Sequence, residues 1–456
     1  MASAVSSPNR SDVLDTRQLE DQAAQLVEAA RRAGADAADA VVVRGMSLSV
    51  SVRDGKVEES DRSEGDDFSL RVFVGQRSAS VSTNAAGDPM QLATRAVAMA
   101  RLAPEDPFAG LADPALLARH FADLDLADPA MPAAGDLAQA AREAEAAALA
   151  VSGVTRSGGA GAGWGLGGLV LATSHGFLGG YGATRHSRSA TAVAGEGTAM
   201  ERDYWSASAL HGADLAPAGE IGRMAGERAV RRLNPRKVAT TRATVVYEPR
   251  AAISLLGHLS GAINGASIAR GTSFLKNRLG SAVFAPGIRI SDDPLRRRGL
   301  GSRPFDGEGV AAAALDLIAD GVLTTWLLDS ASARELGLVT NGRAHRGGSN
   351  PSPGTTNLTL HPGTVAPADL LKEIGTGLYV TDLIGHGANI VTGDYSRGVA
   401  GFWIENGELA YPVSEVTVAG HLGEMFARLR PASDLVYRFA TNAPTVAIEG
   451  LTVAGR

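Results

Sequence analysis

The spacing of hydrophobic residues changes several times along the chain and predicts an alternation of helices and strands. Near the N-terminus, Leu19, Leu26 and Val27 recur at helical spacing, so that one face of the segment is apolar. Further on, apolar residues alternate with serines between 47 and 52, as in a strand with one buried face. The elements predicted up to residue 103 are a helix that ends at Gly34, strands at 40–43, 48–52, 68–74 and 78–81, and a helix at Pro89–Leu102.

The same patterns divide the chain into segments. We expect residues 1–11 to form a disordered tail and residues 12–103 to form an N-terminal α+β domain. Residues 104–135 are rich in alanine, aspartate and proline, and should connect this domain to a middle domain at 136–237. The C-terminal domain, 238–456, is dominated by strands. Its predicted strands lie at 244–247, 283–290, 322–328, 355–360, 400–404 and 408–419.

These segments predict an α+β fold. It consists of an N-terminal α+β domain, a glycine-rich middle region, and a C-terminal β-rich domain with an embedded helix. That helix follows the strand at 244–247 and begins near Pro249.

The middle segment contains a glycine run that formally matches a nucleotide-binding fingerprint. Gly163, Gly165 and Gly168 have the spacing of GxGxxG, a motif that must open a helix to cradle a pyrophosphate. The residues that follow, 169–173, favour a strand, and Arg185 lies where an acidic residue would bind ribose. We therefore interpret the run as glycine-rich strands joined by a turn.

Composition limits the classes of function. The 456 residues contain no apolar run long enough to span a membrane and no apolar signal core at the N-terminus. The net charge of −6 argues against a nucleic-acid surface, and the Arg296–Arg298 cluster, next to Asp292 and Asp293, is interpreted as a solvated loop. The absence of cysteine excludes disulfides and thiolate metal sites and is compatible with a cytoplasmic protein.

The spacing of the nine histidines bears on metal binding. No two of them are three or four residues apart, so no helix can offer the paired imidazoles of a zinc site. His258 is alone on the helix that follows Pro249, and a lone helical histidine is more often structural than a ligand. A site assembled from loops, for example by His258, His345 and His386, is left open by the spacing.

Several long motifs in the second half carry a resemblance to a known family. They are the strand Thr244–Tyr247 with its following helix, Gly271–Phe274, Gly377–Gly387, Val391–Gly398 and Gly401–Glu408. With these motifs in this order, the chain resembles the TldD/PmbA family of modulators of DNA gyrase and proteases. The resemblance extends from about residue 20 to residue 450. It is more similar to the PmbA (TldE) branch than to TldD.

The resemblance implies that a zinc motif has been lost. In the TldD branch this helix carries His-Glu-x-x-x-His, and the matching register places Leu256 and Gly261 at the ligand positions and Gly257 at the base position. The third ligand, a cysteine, is also missing. The resemblance therefore implies a metal-free subunit that forms a heterodimer with a TldD-like homologue. The homologue would supply zinc, and the pair would act on unfolded peptides or peptide-derived products.

Polar residues on this helix and in two glycine-punctuated loops are candidates for contact with a substrate or the partner, because rigid scaffolds display binding residues on loops. Ser396 lacks a nucleophile elbow or a readable base and is not assigned as a nucleophile. An alternative is that Asp394 and Arg397 simply pair across a turn. The candidates are His258, Asn264, Arg270, Thr272, Ser273, His345, Asn357, His386, Asp394, Tyr395, Ser396 and Arg397.

Two other functions stay open on the sequence alone. The chain could be a stand-alone, metal-free peptide-binding protein, or a hydrolase with a site that no motif reveals. A neighbouring reading frame with His-Glu-x-x-x-His on a matching helix would favour the heterodimer.

Overall fold

The computed structural model describes residues 16–85, 87–346 and 350–455. The tail predicted at 1–11 lies outside these residues. Helices and several sheets are both present, which confirms the predicted α+β class. Within the described ranges, no helix is both long and apolar enough to cross a membrane.

A six-stranded antiparallel sheet contains strands from both the N-terminal and the middle segments. Its strands are β1 (Ala37–Arg53), β2 (Lys56–Val74), β3 (Arg77–Thr83), β4 (Val154–Thr173), β5 (Leu178–Ala194) and β6 (Glu201–Ala209). The order β3-β2-β1-β4-β5-β6 joins the two segments through β1 and β4, which pair from Asp39 opposite Thr173 to Val52 opposite Ala160. A turn at Asp54-Gly55 connects β1 to β2, where both residues have positive φ.

Four helices cover one face of this sheet. They are α1 (Arg17–Arg32), α2 (Pro89–Leu102), α3 (Ala134–Leu149) and α4 (Ala218–Arg231). Successive side chains of β1 point to opposite faces of the sheet. Ala40 and Val42 pack against α1 and α2, whereas Val41 packs against Phe305 of the C-terminal segment. The helices and the C-terminal segment therefore bury opposite faces of one sheet.

The glycine run lies inside β4 and opens no helix, which confirms the strand interpretation. Trp164 and Leu166 are buried against α3, while Gly163 and Gly165 lie on the other face. Because large residues alternate with glycine here, β4 exposes backbone without side chains on the face opposite α3.

The C-terminal segment contains a second six-stranded sheet. Its strands are β7 (Thr241–Tyr247), β14 (Gly377–Ile384), β15 (Asp394–Glu405), β16 (Glu408–His421), β17 (Leu429–Pro431) and β19 (Val446–Ala454). In the order β16-β15-β14-β7-β19-β17, an additional pairing of β16 with β19 closes five strands into a ring. Helix α5 (Pro249–Ala262) packs Leu255, Leu256 and Leu259 into the same core as the inner side chains of these strands.

Short strands and helices complete the C-terminal segment. A five-stranded sheet is formed by β8 (Ile290–Asp292), β9 (Leu315–Ala319), β10 (Val322–Leu323), β13 (Leu358–Leu360) and β18 (Thr441–Asn442), and β11 (Ala344–His345) pairs with β12 (Ser352–Pro353). The helices are α6 (Gly265–Ala269), α7 (Ser330–Glu335), α8 (Pro367–Ile374) and α9 (Leu422–Ala427).

Two predicted strands are largely wrong. In 283–290 only Ile290 is in a strand, because Pro286 has no N–H to donate and Gly287, at φ +83°, turns the chain. In 322–328 the strand ends at Leu323, where Thr324 Oγ1 instead donates to the Leu317 carbonyl at 3.1 Å. The apolar residues of both segments are still buried. A buried irregular segment therefore produces the same pattern of apolar residues in the sequence as a strand.

Candidate functional site

A buried acidic residue fixes the junction between β7 and α5. Glu248 accepts hydrogen bonds from Arg228 Nη2 of α4 at 2.8 Å and from Arg250 Nε at 2.9 Å. Pro249 follows as the first residue of α5, where the missing N–H costs nothing. These contacts tie the start of α5 to the middle segment and so fix its position above the ring of strands.

Helix α5 has one packed face and one open face. Leu256 is only 2% exposed and belongs to the core. A Cβ added to Gly257 would meet nothing within 4 Å, and one added to Gly261 would meet only Ile390, at 3.8 Å. Two glycines one helical turn apart therefore leave a smooth, accessible strip of helix backbone.

A cluster of four polar side chains lies next to this strip, and we call it the tyrosine–arginine cluster: Tyr247, His258, Tyr395 and Arg397. The rings of His258 and Tyr395 meet edge to face, with centroids 5.9 Å apart. Tyr247 is 0% and Tyr395 is 2% exposed. In the described part of the chain, His258 Nε2 and Arg397 Nε are buried without a hydrogen-bond partner, and the hydroxyls of Tyr247 and Tyr395 are buried close enough to interact with each other.

The electrostatics of the cluster are those of one positive charge among neutral groups. Burial, together with the charge of Arg397, lowers the pKa of His258 to about 4. Burial raises the pKa of Tyr247 well above its usual value, and it also raises the pKa of Tyr395, although Arg397 opposes both shifts. At neutral pH the cluster therefore offers a neutral imidazole, two protonated phenols and a guanidinium.

These groups can bind oxygen atoms, and only His258 among them is one of the usual zinc ligands. Buried polar atoms without partners cost free energy, which a peptide carbonyl or carboxylate oxygen would recover by accepting hydrogen bonds. Zinc needs three or four His, Cys, Asp or Glu ligands, and the cluster has one imidazole beside a cation. Among residues 16–85, 87–346 and 350–455, no three such side chains are grouped to hold an ion.

The loop-assembled alternative of His258, His345 and His386 is not realised in the described residues. The Nε2 atom of His345 hydrogen-bonds to the Thr355 carbonyl, and burial lowers the pKa of this imidazole. His386 lies exposed in the loop after β14, and His258 contacts Tyr395 instead.

Three other sequence candidates make internal hydrogen bonds that support the fold. Asn264 caps α6, and its Nδ2 donates to the Pro353 carbonyl at 2.8 Å. Ser273 is buried, and its hydroxyl donates to the Ala262 carbonyl at 2.5 Å. Asn357 is also buried and binds the backbone of Gly301 and Asp293 and the hydroxyl of Ser302.

The remaining candidates differ in which way they face. Residues 395 and 397 lie on one face of β15, whereas Asp394 and Ser396 lie on the exposed face. Asp394 accepts from Thr392 Oγ1 at 2.6 Å and lies on the opposite face of β15 from Arg397, so the two do not pair across a turn in the described structure. Arg270 and Thr272 are exposed beyond α6.

Sequence reasoning missed Tyr247, the most deeply buried member of the tyrosine–arginine cluster. The sequence pattern identifies it only as the last residue of a strand. Alternation could have identified it, because Val245 and Tyr247 share the inner face of β7, and a phenol at the end of such a face needs a partner for its hydroxyl.

Comparisons with known proteins place the chain within a family. Models described as the C-terminal domain, domain 1 and central domain of PmbA/TldA metallopeptidases match residues 240–455, 38–100 and 127–233. Metalloprotease PmbA of Escherichia coli O157:H7 is 38% identical over 426 residues, which cover 92% of this chain and 93% of that protein. The chain belongs to the PmbA/TldD metallopeptidase family.

Solved structures of PmbA/TldD-like proteins agree with the fold. A proposed modulator of DNA gyrase from Bacteroides thetaiotaomicron superposes with a TM-score of 0.89 at 28% identity, covering 97% of this chain and 100% of that one. TldE from Thermococcus kodakarensis shares the fold, with a TM-score of 0.82 at 18% identity and coverage of 95% and 99%. The C-terminal PmbA/TldA model spans every member of the tyrosine–arginine cluster.

Proposed function

We propose that this chain is the TldE/PmbA-like subunit of a heterodimeric zinc metallopeptidase. In this proposal a TldD-like homologue supplies the zinc ion and the catalytic base, and this chain closes the site and binds the substrate backbone. The substrates are unfolded peptides or peptide-derived products, and the pair acts in the cytoplasm. Support comes from membership of a metallopeptidase family and from the resemblance of its motifs to the TldE branch.

The observation that carries the proposal is the open face of α5. Gly257 and Gly261 put no side chain on it, while the neighbouring tyrosine–arginine cluster retains unsatisfied hydrogen-bonding groups. An extended peptide backbone has the carbonyl oxygens that these donors need, and the strip of glycine allows it to approach closely. The cluster contains no carboxylate to activate water and no nucleophile with a base, and in this proposal the hydrolytic groups come from the partner.

A titration of activity tests the proposal. The zinc-bearing homologue is held at a fixed concentration, this chain is added in steps, and cleavage of an unfolded casein substrate is followed. Activity should rise to a plateau at one equivalent. Filling the open face with Gly257→Phe should lower the plateau, whereas Gly280→Phe, a substitution at an exposed glycine outside α5, controls for added surface apolarity. Because Gly280 has a φ of +72°, its variant is first checked for unchanged melting temperature.

Two results would reject the proposal and favour one of the alternatives. Full activity of the homologue without this chain would leave it a stand-alone peptide-binding protein. Cleavage of casein by this chain alone in the presence of a chelator would make it a hydrolase with its own site.

A further inference from the structure

A partly open cavity lies between the first sheet and the C-terminal segment, and its lining residues include no member of the tyrosine–arginine cluster. Its volume is about 330 Å³. The sheet contributes Val41, Leu171 and Tyr181, and the facing loop contributes Arg303 and Phe305. The rings of Tyr181 and Phe305 pack edge to face with centroids 5.5 Å apart, and polar residues, among them Asp306, His345 and Arg346, complete the wall.

Arg303 is the unusual feature of this cavity. Its side chain is buried, with the residue only 7% exposed, and Nε and Nη2 have no hydrogen-bond partner among the described residues. An arginine stays protonated in proteins, so this is a buried positive charge. An unpaired buried charge costs several kcal/mol unless an anion compensates it.

The protein's own carboxylates near Arg303 are already engaged. Asp306 accepts from the backbone N–H groups of Glu308, Val310 and Ala344 at 2.9 to 3.0 Å. Asp292 is paired with Arg343 Nε at 2.7 Å. Within the described ranges, no carboxylate lies within ion-pair distance of Arg303, although Asp306 and Asp292 stabilise its charge from further away.

A second donor faces the same space. Tyr181 is close enough for the charge of Arg303 to affect its phenol, and burial raises the pKa of this phenol, so the hydroxyl stays protonated. Tyr181 lines the cavity together with Arg303. The cavity thus combines a guanidinium, a phenol O–H and apolar walls.

We propose that this cavity binds a small monocarboxylate with an apolar body. The guanidinium fork matches a carboxylate in geometry and charge, and the tyrosine hydroxyl can donate a further hydrogen bond to it. The other cationic wall residue, Arg346, is paired with Asp39, and Asp306 and Asp292 partly offset the charge of Arg303, which favours a monoanion over a phosphate. Val41, Leu171 and Phe305 enclose the apolar body.

Calorimetric titration of the full-length chain tests the proposal. The probes are 3-phenylpropanoate and 3-phenylpropanamide, which have the same shape and differ in charge. The acid should bind at least about tenfold more tightly than the amide, since a charge-assisted hydrogen bond is roughly twice as strong as a neutral one. Arg303→Met and Tyr181→Phe should each weaken binding of the acid, whereas Arg223→Met, at an exposed arginine of α4 that pairs with Glu227, should not.

The variant's stability provides an independent readout. Because Arg303→Met removes an unpaired buried charge, its melting temperature should not fall below that of the unaltered chain. Should the variant misfold, the acid–amide comparison on the unaltered chain and Tyr181→Phe still decide. Equal binding of acid and amide, undetectable binding of both at ~10 mM, or full binding by Arg303→Met would overturn the proposal.

A second pair of probes identifies the source of the carboxylate. Ala-Ala-Phe with a free C-terminus is compared with its C-terminal amide. Tighter binding of the free tripeptide than of 3-phenylpropanoate assigns the cavity to peptide C-termini. The reverse order assigns it to free carboxylic acids, and either order supports the proposal.

Discussion

The depressed pKa of His258 should make the folded protein sensitive to acid, and His258→Phe should remove that sensitivity. His258 titrates at about 4 in the folded state and near its ordinary value of 6.5 when unfolded, because burial and Arg397 both disfavour the imidazolium. The folded state therefore favours the neutral imidazole of His258. The stability linked to His258 is therefore fully present above pH 6.5 and is lost as the pH falls from 6.5 towards 4.

The size of the effect follows from the shift. Each pKa unit corresponds to ~1.4 kcal/mol, so lowering the pH from about 7.5 to about 4.5 removes at most ~2.5 kcal/mol through this group. The imidazole is only partly buried, and solvent screening reduces the expected loss to roughly half of that value. Phenylalanine keeps the edge-to-face contact with Tyr395 and cannot be protonated.

Urea denaturation at the two pH values measures the free energy of unfolding of the unaltered chain and of His258→Phe. The loss of stability caused by other titrating groups is the same in both proteins and cancels when they are compared. The unaltered chain should lose about 1 to 2 kcal/mol more than the variant. His386→Phe, which replaces an exposed histidine, should behave like the unaltered chain. Equal losses for the unaltered chain and His258→Phe would refute the buried, cation-flanked environment assigned to this imidazole.

Three further substitutions test the contacts described above. Arg343→Met leaves Asp292 as an unpaired charge in a pair that is 0% exposed on both sides, and should cost about 3 to 5 kcal/mol of unfolding free energy. Ser273→Ala removes a buried hydroxyl bonded to the Ala262 carbonyl and should cost about 1 to 3 kcal/mol by the same urea measurement. Asp394→Ala breaks an exposed hydrogen bond to Thr392 and should cost less than about 1 kcal/mol, and a larger loss would show that this loop supports the fold.

The sequence predicted the parts of the fold that depend on local pattern. The helix Pro89–Leu102 and the strand character of the glycine run follow from spacing, and both are present. The pairing of β1 with β4 could not be predicted, because it joins residues more than a hundred positions apart and no local signal specifies the partner of a strand. Burial of irregular segments, as at 283–290, also imitates a strand pattern.

The candidate site was predictable only in part. His258, Tyr395 and Arg397 were identified because their motifs are polar and punctuated by glycine. The same signal selected Asn264, Ser273 and Asn357, whose polar groups bond to nearby backbone and serve the fold. A polar side chain serves the fold when its hydrogen-bond partners lie within the protein, and it stays available for a ligand when they do not. Which of the two holds depends on the tertiary structure.

The count of bound zinc tests the central claim most directly. The purified chain, the purified zinc-bearing homologue and their complex are passed through gel filtration in zinc-supplemented buffer, and metal is quantified by mass spectrometry. A metal-free subunit should carry no stoichiometric zinc alone, and the complex should contain about one zinc ion per pair, lost on mutating the partner's His-Glu-x-x-x-His. About one zinc ion on the isolated chain, removed by substituting His258, would contradict the account.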